Sequence, residues 1–154
     1  MKLSLISLLI ITAANLASAK YDHFYTTNQT GELAPQQGYH YEEIAAYTPP
    51  ASASGAVTVY RWYNSNTGAY FWTTDPTGEY APQLGYTAQG PGYYVFNINA
   101  AAPTATVPWY RWNTPYDHFY STSYSEGENA GFSYEGEMGY VFAGLVEERA
   151  ARHL

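Results

Sequence analysis

Two pairs of neighbouring side chains in this sequence have the residue types that proton transfer needs, Asp22-His23 and Asp117-His118. A carboxylate that holds an imidazole in one orientation is a central part of many acid–base and nucleophilic catalysts. Neighbouring residues on a strand point to opposite faces of the sheet, so neither aspartate can orient the histidine beside it. The pairs therefore predict a structural role, in which Asp closes a turn and His packs as a half-buried ring.

A second set of charged residues recurs at matching positions. Glu42 and Glu135 correspond to each other, as do Arg61 and Arg111. Only the last part of the chain combines an arginine with both acids, through Arg111, Asp117 and Glu135. A guanidinium binds carboxylates through paired hydrogen bonds. These three residues predict either a salt bridge that ties strands together or the polar floor of a sugar-binding pocket.

Aromatic rings are the most abundant candidates for ligand contact, with 18 Tyr, 6 Phe and 4 Trp. Such rings offer a large apolar face on which the C–H face of a sugar can stack, and Tyr and Trp keep a polar end. Most of the rings are expected to form the core, and the rest to face a ligand beside charged groups. The candidate ligand-binding residues are Asp22, His23, Tyr25, Glu42, Arg61, Tyr63, Arg111, Trp112, Asp117, His118, Tyr120 and Glu135.

Metal and cofactor motifs do not occur in the sequence. Zinc needs three or four converging His or Cys ligands, but the chain has no Cys, and His40 and His153 have no partner at ligand spacing. Calcium loops, phosphate-binding glycine loops and nucleophile elbows are also missing. Glu126 and Glu128 lie in a Gly-containing polar loop and are expected to be solvated rather than a glycosidase pair. The sequence therefore predicts no metal, no cofactor and no enzymatic activity.

These candidate residues belong to a sequence that occurs three times. The copies are YDHFYTTNQTGELAPQQGYHYEE from Tyr21, AYFWTTDPTGEYAPQLGYTAQG from Ala69 and YDHFYSTSYSEGENAGFSYEG from Tyr116. Their corresponding phenylalanines are about 47 residues apart. A fixed period of this size predicts units that are too small to fold alone and that share one core.

Each copy contains four short extended segments separated by Gly- and Pro-containing turns. The segments VYRWYN and WYRWN, for example, are rich in strand-forming aromatics. Repeats at about 20–50, 57–98 and 107–146 therefore predict an all-β fold with a closed three-repeat architecture. A β-trefoil is favoured, with a β-prism or a small propeller-like ring as alternatives. Counted from residue 20, the first repeat lacks a YRW strand, and Leu145 and Val146 are candidates to replace it.

The first 19 residues have the features of a secretory signal peptide. Lys2 precedes the apolar run LSLISLLIITAANLA, which ends in the small residues Ala17-Ser18-Ala19. The run is shorter than the about 20 apolar residues that cross a bilayer. We therefore expect cleavage before Lys20, a secreted single domain over 20–154, and no membrane association afterwards. Asn28 opens an N-x-Thr sequon, a glycosylation candidate in a eukaryotic secretory route.

Charge excludes two further classes of partner. The formal net charge is −7, and an acidic surface repels phosphate backbones and anionic lipids. Binding to nucleic acid or to a membrane surface is therefore not expected. The chain has no cysteine, so aromatic packing must replace the disulfides that small secreted domains commonly use.

The three copies resemble a repeat of unknown function found in secreted proteins of fungi and bacteria. Its recurring text is Tyr-Arg-Phe-Tyr, then Gly-Asp-His-Phe-Tyr-Thr-Thr, then Gly-Tyr-x-Tyr-Glu-Gly, and this chain matches it best at 110–112, 117–122 and 132–136. The second copy departs from it, with Ala69-Tyr70 in place of Asp-His and Gln89 in place of Glu. The resemblance implies an extracellular location, often beside hydrolase or adhesion modules, and no established activity.

Together these features predict a secreted, lectin-like, non-catalytic module that binds carbohydrate or mediates adhesion through up to three weak sites. The first alternative is an extracellular structural or protein-interaction protein, such as an effector or an envelope component. The second alternative is a glycoside or peptide hydrolase with its site around Asp117, His118 and Glu135.

Overall fold

The computed structural model describes residues 6–15 and 20–144 and confirms the all-β prediction. Its strands are β1 (Ile6–Asn15), β2 (Lys20–Thr26), β3 (His40–Thr48), β4 (Ala56–Tyr63), β5 (Tyr70–Thr73), β6 (Thr87–Phe96), β7 (Val107–Asn113), β8 (His118–Ser121) and β9 (Ser133–Val141). Two 3-10 turns, Ala34–Gln37 and Pro82–Leu84, and one short helix, α1 (Tyr124–Asn129), lie in the loops. Among these described residues, no helix is long and apolar enough to span a bilayer.

One strand arrangement occurs three times. The sheets have the orders β2-β1-β3 and β5-β4-β6-β9-β7-β8, and the strand pairs are antiparallel. In each copy the first strand lies in the middle, a second strand pairs with one of its edges, and a long third strand pairs with the other edge. We call residues 6–48 unit 1, residues 56–96 unit 2 and residues 107–141 unit 3.

Each unit has three strands where the sequence predicted four extended segments. The last two segments of each repeat run together as one long strand, β3, β6 or β9. Each of these strands shows two register shifts against its neighbour. Such bulges bend a strand and increase its twist without ending it, which is why a break in the sequence pattern did not become a break in the strand.

The described strands form two sheets and no closed barrel, so the β-trefoil is not seen in them. Units 2 and 3 are joined by one strand pair, Phe96 opposite Tyr140. Units 1 and 3 are joined by a bridge between Tyr47 and Phe142, with backbone hydrogen bonds of 2.8 and 2.9 Å. The sheets meet through side chains rather than through a continuous ladder.

Strand β1 comes from the segment that the sequence assigns to the leader. It pairs with both β2 and β3, and so it occupies the middle position that β4 and β7 hold in the other units. Leu8, Leu9 and Ile10 are 0, 5 and 3% exposed. In the full chain, β1 therefore takes the place of the strand that the first repeat lacks when it is counted from residue 20. Residues 1–5 and 16–19 of the predicted leader, and the predicted replacement strand at Leu145 and Val146, lie outside the described residues.

The common core is centred on one ring from each unit: Tyr25, Trp72 and Tyr120. All three are at most 1% exposed, and their ring centroids are 5.2 to 5.8 Å apart. The Tyr25 hydroxyl donates to the Tyr120 carbonyl (3.0 Å) and accepts from its N–H (2.9 Å). The Tyr120 hydroxyl bonds both backbone groups of Trp72 in the same way, at 2.8 and 2.9 Å. These hydroxyls satisfy backbone groups that the short strands leave unpaired.

Candidate functional site

The units contact one another through a repeated pair of rings. Phe24 of unit 1 packs on Tyr70 of unit 2, with centroids 4.8 Å apart. Phe71 of unit 2 packs on His118 of unit 3 at 4.7 Å. The cycle closes between unit 3 and unit 1, where Phe119 packs on His23 at 5.1 Å. We call these contact regions junction 1–2, junction 2–3 and junction 3–1.

An arginine crosses two of these junctions. At junction 2–3 the guanidinium of Arg111 lies 5.1 Å from the centre of the Phe71 ring, and it binds Glu79 through Nη1 and Nη2 at 2.7 and 3.0 Å. At junction 1–2 the guanidinium of Arg61 lies 5.3 Å from the centre of the Phe24 ring. Its Nη1 binds both oxygens of Glu32 at 2.9 and 3.0 Å. An arginine held by a carboxylate and stacked on a ring combines an ion pair with a cation–π contact.

Junction 3–1 lacks the arginine because β1 has a different residue at that register. Arg61 pairs with Trp72 across β4 and β5, and Arg111 pairs with Tyr120 across β7 and β8. The residue opposite Tyr25 is Ile10. The three junctions are therefore related in geometry and different in chemistry.

The partners of Arg111 differ from those that the sequence predicted. Asp117 does not pair with it, and Glu79, which sequence reasoning missed, takes both terminal nitrogens. Glu135 is close, with Oε2 2.8 Å from Nε, but the Nε–H is not aligned for a hydrogen bond. The signal that could have found Glu79 is the tripeptide Thr-Gly-Glu, which occurs at 30–32 and 77–79.

Asp117 instead pairs with a histidine across junction 3–1. Its carboxylate is buried, and it accepts the backbone N–H of His23 at 3.2 Å and contacts the His23 Nδ1. Burial lowers the pKa of His23, but the hydrogen bond and charge of Asp117 outweigh it and leave the pKa raised. An Asp-His pair does form, between units rather than between neighbours in sequence.

Asp22 occupies the matching position in unit 1. Its carboxylate accepts a hydrogen bond from the Tyr39 hydroxyl. Burial raises the pKa of Asp22 to about 7, the hydrogen bond from Tyr39 opposes that change, and the nearby charge of Asp117 adds to it. A carboxyl group with this pKa changes its charge close to neutral pH.

His118 has no such acid, because Ala69 stands in unit 2 where unit 3 has Asp117. Burial lowers the pKa of His118 to about 4, and the charge of Arg111 lowers it further. The imidazole is therefore neutral at pH 7. Its Nε2 lies 3.6 Å from Glu135 Oε2, within contact distance but beyond a hydrogen bond.

A cleft of about 300 Å³ opens at junction 2–3. Phe71 and Tyr86 contribute rings to it, and Tyr80 and Tyr116 are 78 and 58% exposed. Its polar lining residues are Glu79, Arg111, Asn113, Thr114, Asp117, His118 and Glu135. Concave sites with aromatic walls and a few convergent polar groups are typical of small-ligand binding.

At junction 1–2 bulkier residues stand at two of these positions. Tyr63 replaces Asn113 and Tyr70 replaces His118, and the two tyrosine rings pack with centroids 4.8 Å apart. In the cleft, Asn113 donates through Nδ2 to Glu135 Oε1 at 2.9 Å. A short amide and an imidazole therefore leave space where two phenol rings would fill it.

Several predicted ligand-binding residues do not reach the cleft. Tyr25, Trp112 and Tyr120 are 0, 2 and 1% exposed, so these three rings are part of the core and do not line the cleft. Both faces of the HFYTT-type strands are buried, because the units pack on one face and loops cover the other. Trp112, on the neighbouring strand β7, packs against Gly127 of α1, where an added Cβ would clash with its ring.

The remaining candidates are separate from the cleft. Asp22 and His23 lie close to Asp117 at junction 3–1. Arg61 and Tyr63 lie at junction 1–2. Glu42 is exposed on β3. Asn28 is exposed in the loop after β2, where its Oδ1 accepts the N–H and hydroxyl of Thr30 at 2.9 and 2.7 Å. Within the described part of the chain, no three His, Cys, Asp or Glu residues are placed to hold a metal ion.

The chain belongs to the family described as a domain of unknown function, DUF5648, whose model matches residues 15–142. The match covers units 2 and 3 and all of unit 1 except most of β1. No curated protein and no solved structure matches the chain.

Proposed function

We propose that this domain is a non-catalytic binding module and that the cleft at junction 2–3 binds carbohydrate. The observation that carries the proposal is the combination of exposed tyrosine rings with an ordered set of acids, amide and imidazole around one concavity. Rings at the rim suit the C–H face of a sugar. Fixed acceptors and donors below them suit its hydroxyls.

The polar groups of the cleft are held in place before any ligand arrives. Glu79 is fixed by Arg111 and by the Thr73 hydroxyl, and Glu135 is fixed by Asn113 at 2.9 Å. Because these side chains are already ordered, a ligand does not have to supply the entropy cost of ordering them. The same pairing ties up the acids, which supports binding rather than proton transfer as the role of the cleft.

A pair of exposed tyrosines tests the proposal. Tyr80 lies on the cleft rim and is 78% exposed, and Tyr41, which is 60% exposed, lines a different hollow in unit 1. We expect Tyr80→Ala to weaken binding to glycans at least about tenfold, or about 1.4 kcal/mol, and Tyr41→Ala to leave it unchanged. The measurements are a glycan array and titration calorimetry. Absence of binding across a broad panel, or equal effects of the two variants, would contradict the proposal.

The alternative role, binding of an extracellular protein, is supported by unit 1. A hollow of about 280 Å³ there is lined by Leu9, Gln29, Thr30, Gly31, Pro35, Tyr41 and Ile44. Ile44 is 40% exposed, and none of the lining side chains is charged. A crosslinking pull-down that recovers one dominant protein, unaffected by added sugars and lost in Tyr41→Ala, would favour this role.

We also propose that the protein acts outside the cell, on the strength of the leader-like residues 1–19. The same segment provides β1, so cleavage before Lys20 would remove the middle strand of unit 1. The two uses of residues 6–15 exclude each other. The mass of the exported protein is therefore decisive: a chain that begins at Lys20 supports the leader, and an exported chain that keeps residues 6–15 contradicts its removal.

The repeated ring contacts support a three-unit, propeller-like ring rather than a trefoil. Each unit gives one ring to the centre and one to each neighbour, so the cycle of junctions closes although the sheets do not. Solution scattering of the full chain would test this, since a globular ring is more compact than three units in a row.

A further inference from the structure

The charge of the cleft indicates which sugars it favours. Resting on the proposed glycan-binding role, we propose that the cleft at junction 2–3 prefers glycans that carry a protonated amine, such as glucosamine oligomers, over neutral and acidic ones. Two acids, Glu79 and Glu135, and one arginine, Arg111, meet in its wall, and some of their hydrogen-bonding groups are already paired.

Two carboxylates share one guanidinium in the wall of the cleft. Arg111 has Glu79 at 2.7 Å from Nη1 and Glu135 at 2.8 Å from Nε. Burial favours protonation of Glu79, but the hydrogen bonds from Arg111 and Thr73 outweigh it and lower its pKa. This group of three side chains therefore carries one net negative charge when both acids are ionised.

No other cation compensates that charge among the side chains described around the cleft. His118 is neutral at pH 7 because burial and the charge of Arg111 lower its pKa to about 4. The other described arginine, Arg61, is paired with Glu32 at 2.9 Å at junction 1–2. An acidic sugar would have to compete with Glu79 and Glu135 for Arg111, whereas an ammonium group would add the missing positive charge.

Acceptor capacity is also available. Glu135 Oε1 accepts one hydrogen bond, from Asn113 at 2.9 Å, and a carboxylate oxygen has two lone pairs. An ammonium group donates up to three hydrogen bonds and forms the stronger, charge-assisted type with a carboxylate. The side chains of Arg111, Glu79 and Glu135 are 14, 31 and 25% exposed, so water screens them only in part.

Junction 1–2 provides the matched control. There Gln89 occupies the position of Glu135, so Arg61 and Glu32 form a balanced pair. Glu135→Gln gives junction 2–3 the charge of junction 1–2, and Gln89→Glu makes the reverse change where Tyr63 and Tyr70 fill the space. Both substitutions keep the size of the side chain, so they alter charge with little change in packing.

The experiment compares three oligomers of equal length, built from glucosamine, from N-acetylglucosamine and from a uronic acid, by calorimetry at about pH 5.5 and low salt. For the wild-type chain we expect the amine oligomer to bind about tenfold more tightly than the neutral one, and the acidic one least tightly. Glu135→Gln should bring the amine-to-neutral ratio close to one, and Gln89→Glu should leave it at the wild-type value.

Salt provides a second measurement on the unmodified chain, independent of whether a variant folds. Raising the salt concentration from about 20 to about 300 mM should weaken amine binding selectively, because it screens charge. Equal binding of the amine and neutral oligomers, or an amine preference that survives both Glu135→Gln and salt, would overturn this inference alone. Binding of none of the three would contradict the proposed function as well.

Discussion

Junctions 1–2 and 2–3 share one plan and differ in what occupies it. Both place an arginine over the phenylalanine of the preceding unit and hold it with a loop glutamate. Junction 1–2 then adds Tyr63 and Tyr70, and junction 2–3 adds the smaller Asn113. The ion pair is therefore a structural feature of both junctions, and the cleft arises where bulky rings are replaced by small polar groups.

Junction 3–1 differs from the other two in its titrating groups, Asp22, His23 and Asp117. Their effect on the free energy of unfolding is the largest that we expect. Asp22 has a pKa raised to about 7, so the folded chain keeps that proton to higher pH than the unfolded chain does. The contribution of Asp22 to the free energy of unfolding should therefore fall as pH rises from about 4 to 7, by about 1.4 kcal/mol for each unit of raised pKa. The raised pKa of His23 has the same sign, since its contribution is lost as pH rises through the folded-state value. The lowered pKa of His118 acts in the opposite sense, because its contribution grows as pH rises from about 4 toward the ordinary histidine value.

Replacing the acid isolates this effect. Asp22→Asn keeps an acceptor for Tyr39 but cannot ionise, so urea unfolding should show the stability of the wild type relative to this variant falling between about pH 4 and 7. Asp75→Asn is the control and should keep the wild-type slope, because Asp75 lies in a partly exposed loop and hydrogen bonds from Thr77 lower the pKa of its carboxyl group. An unchanged slope in Asp22→Asn would mean that this carboxyl group is not the source.

Removal of the arginine should destabilise the two junctions to different extents. Arg111→Ala leaves two partly buried carboxylates facing each other, whereas Arg61→Ala leaves only Glu32. We expect a loss of about 2 kcal/mol for the first and about 1 kcal/mol for the second, since partial exposure screens both pairs. Urea unfolding at low and high salt measures this. A larger loss in Arg61→Ala would contradict the view that junction 2–3 holds surplus negative charge.

Filling the cleft with the rings of junction 1–2 should weaken ligand binding at junction 2–3. The double variant Asn113→Tyr with His118→Tyr gives junction 2–3 the rings of junction 1–2, and we expect it to weaken glycan binding at least about tenfold, or about 1.4 kcal/mol. Stability should change little, because the same pair packs well at the other junction. Tyr63→Phe, which removes one hydroxyl at the filled junction, is the binding control. Wild-type affinity in the double variant would place the ligand elsewhere.

The smallest expected effect concerns a single pKa. Ala69→Asp puts a carboxylate beside His118 in the way that Asp117 stands beside His23, and it should raise the pKa of His118 from about 4 to above the ordinary value. Histidine NMR signals followed against pH report this directly. Ala69→Asn has the same shape without the charge and should leave the pKa low. A His118 that still titrates near 4 in Ala69→Asp would contradict the equivalence of the two positions.

Local sequence pattern predicted much of the fold. Alternating aromatics gave the all-β class and the strands β4 and β7, and the fixed period gave three equivalent units. The pattern could not find β1, because an apolar segment with a basic start satisfies both a leader and a buried strand. Only its pairing with β2 and β3 distinguishes them, and pairing depends on residues that are distant in sequence.

The candidate site divides in the same way. The sequence alone indicated that only the third copy combines an arginine with both acids, through Arg111, Asp117 and Glu135. These three residues and His118 line one cleft. Tertiary structure decided that Glu79 holds Arg111 and that Asp117 serves His23. In each of these pairs the two residues come from different units. The repeat period shows which positions of the units correspond, but it does not show which units are in contact. Side-chain charge and size are local properties, whereas pairing and burial are set by packing between units.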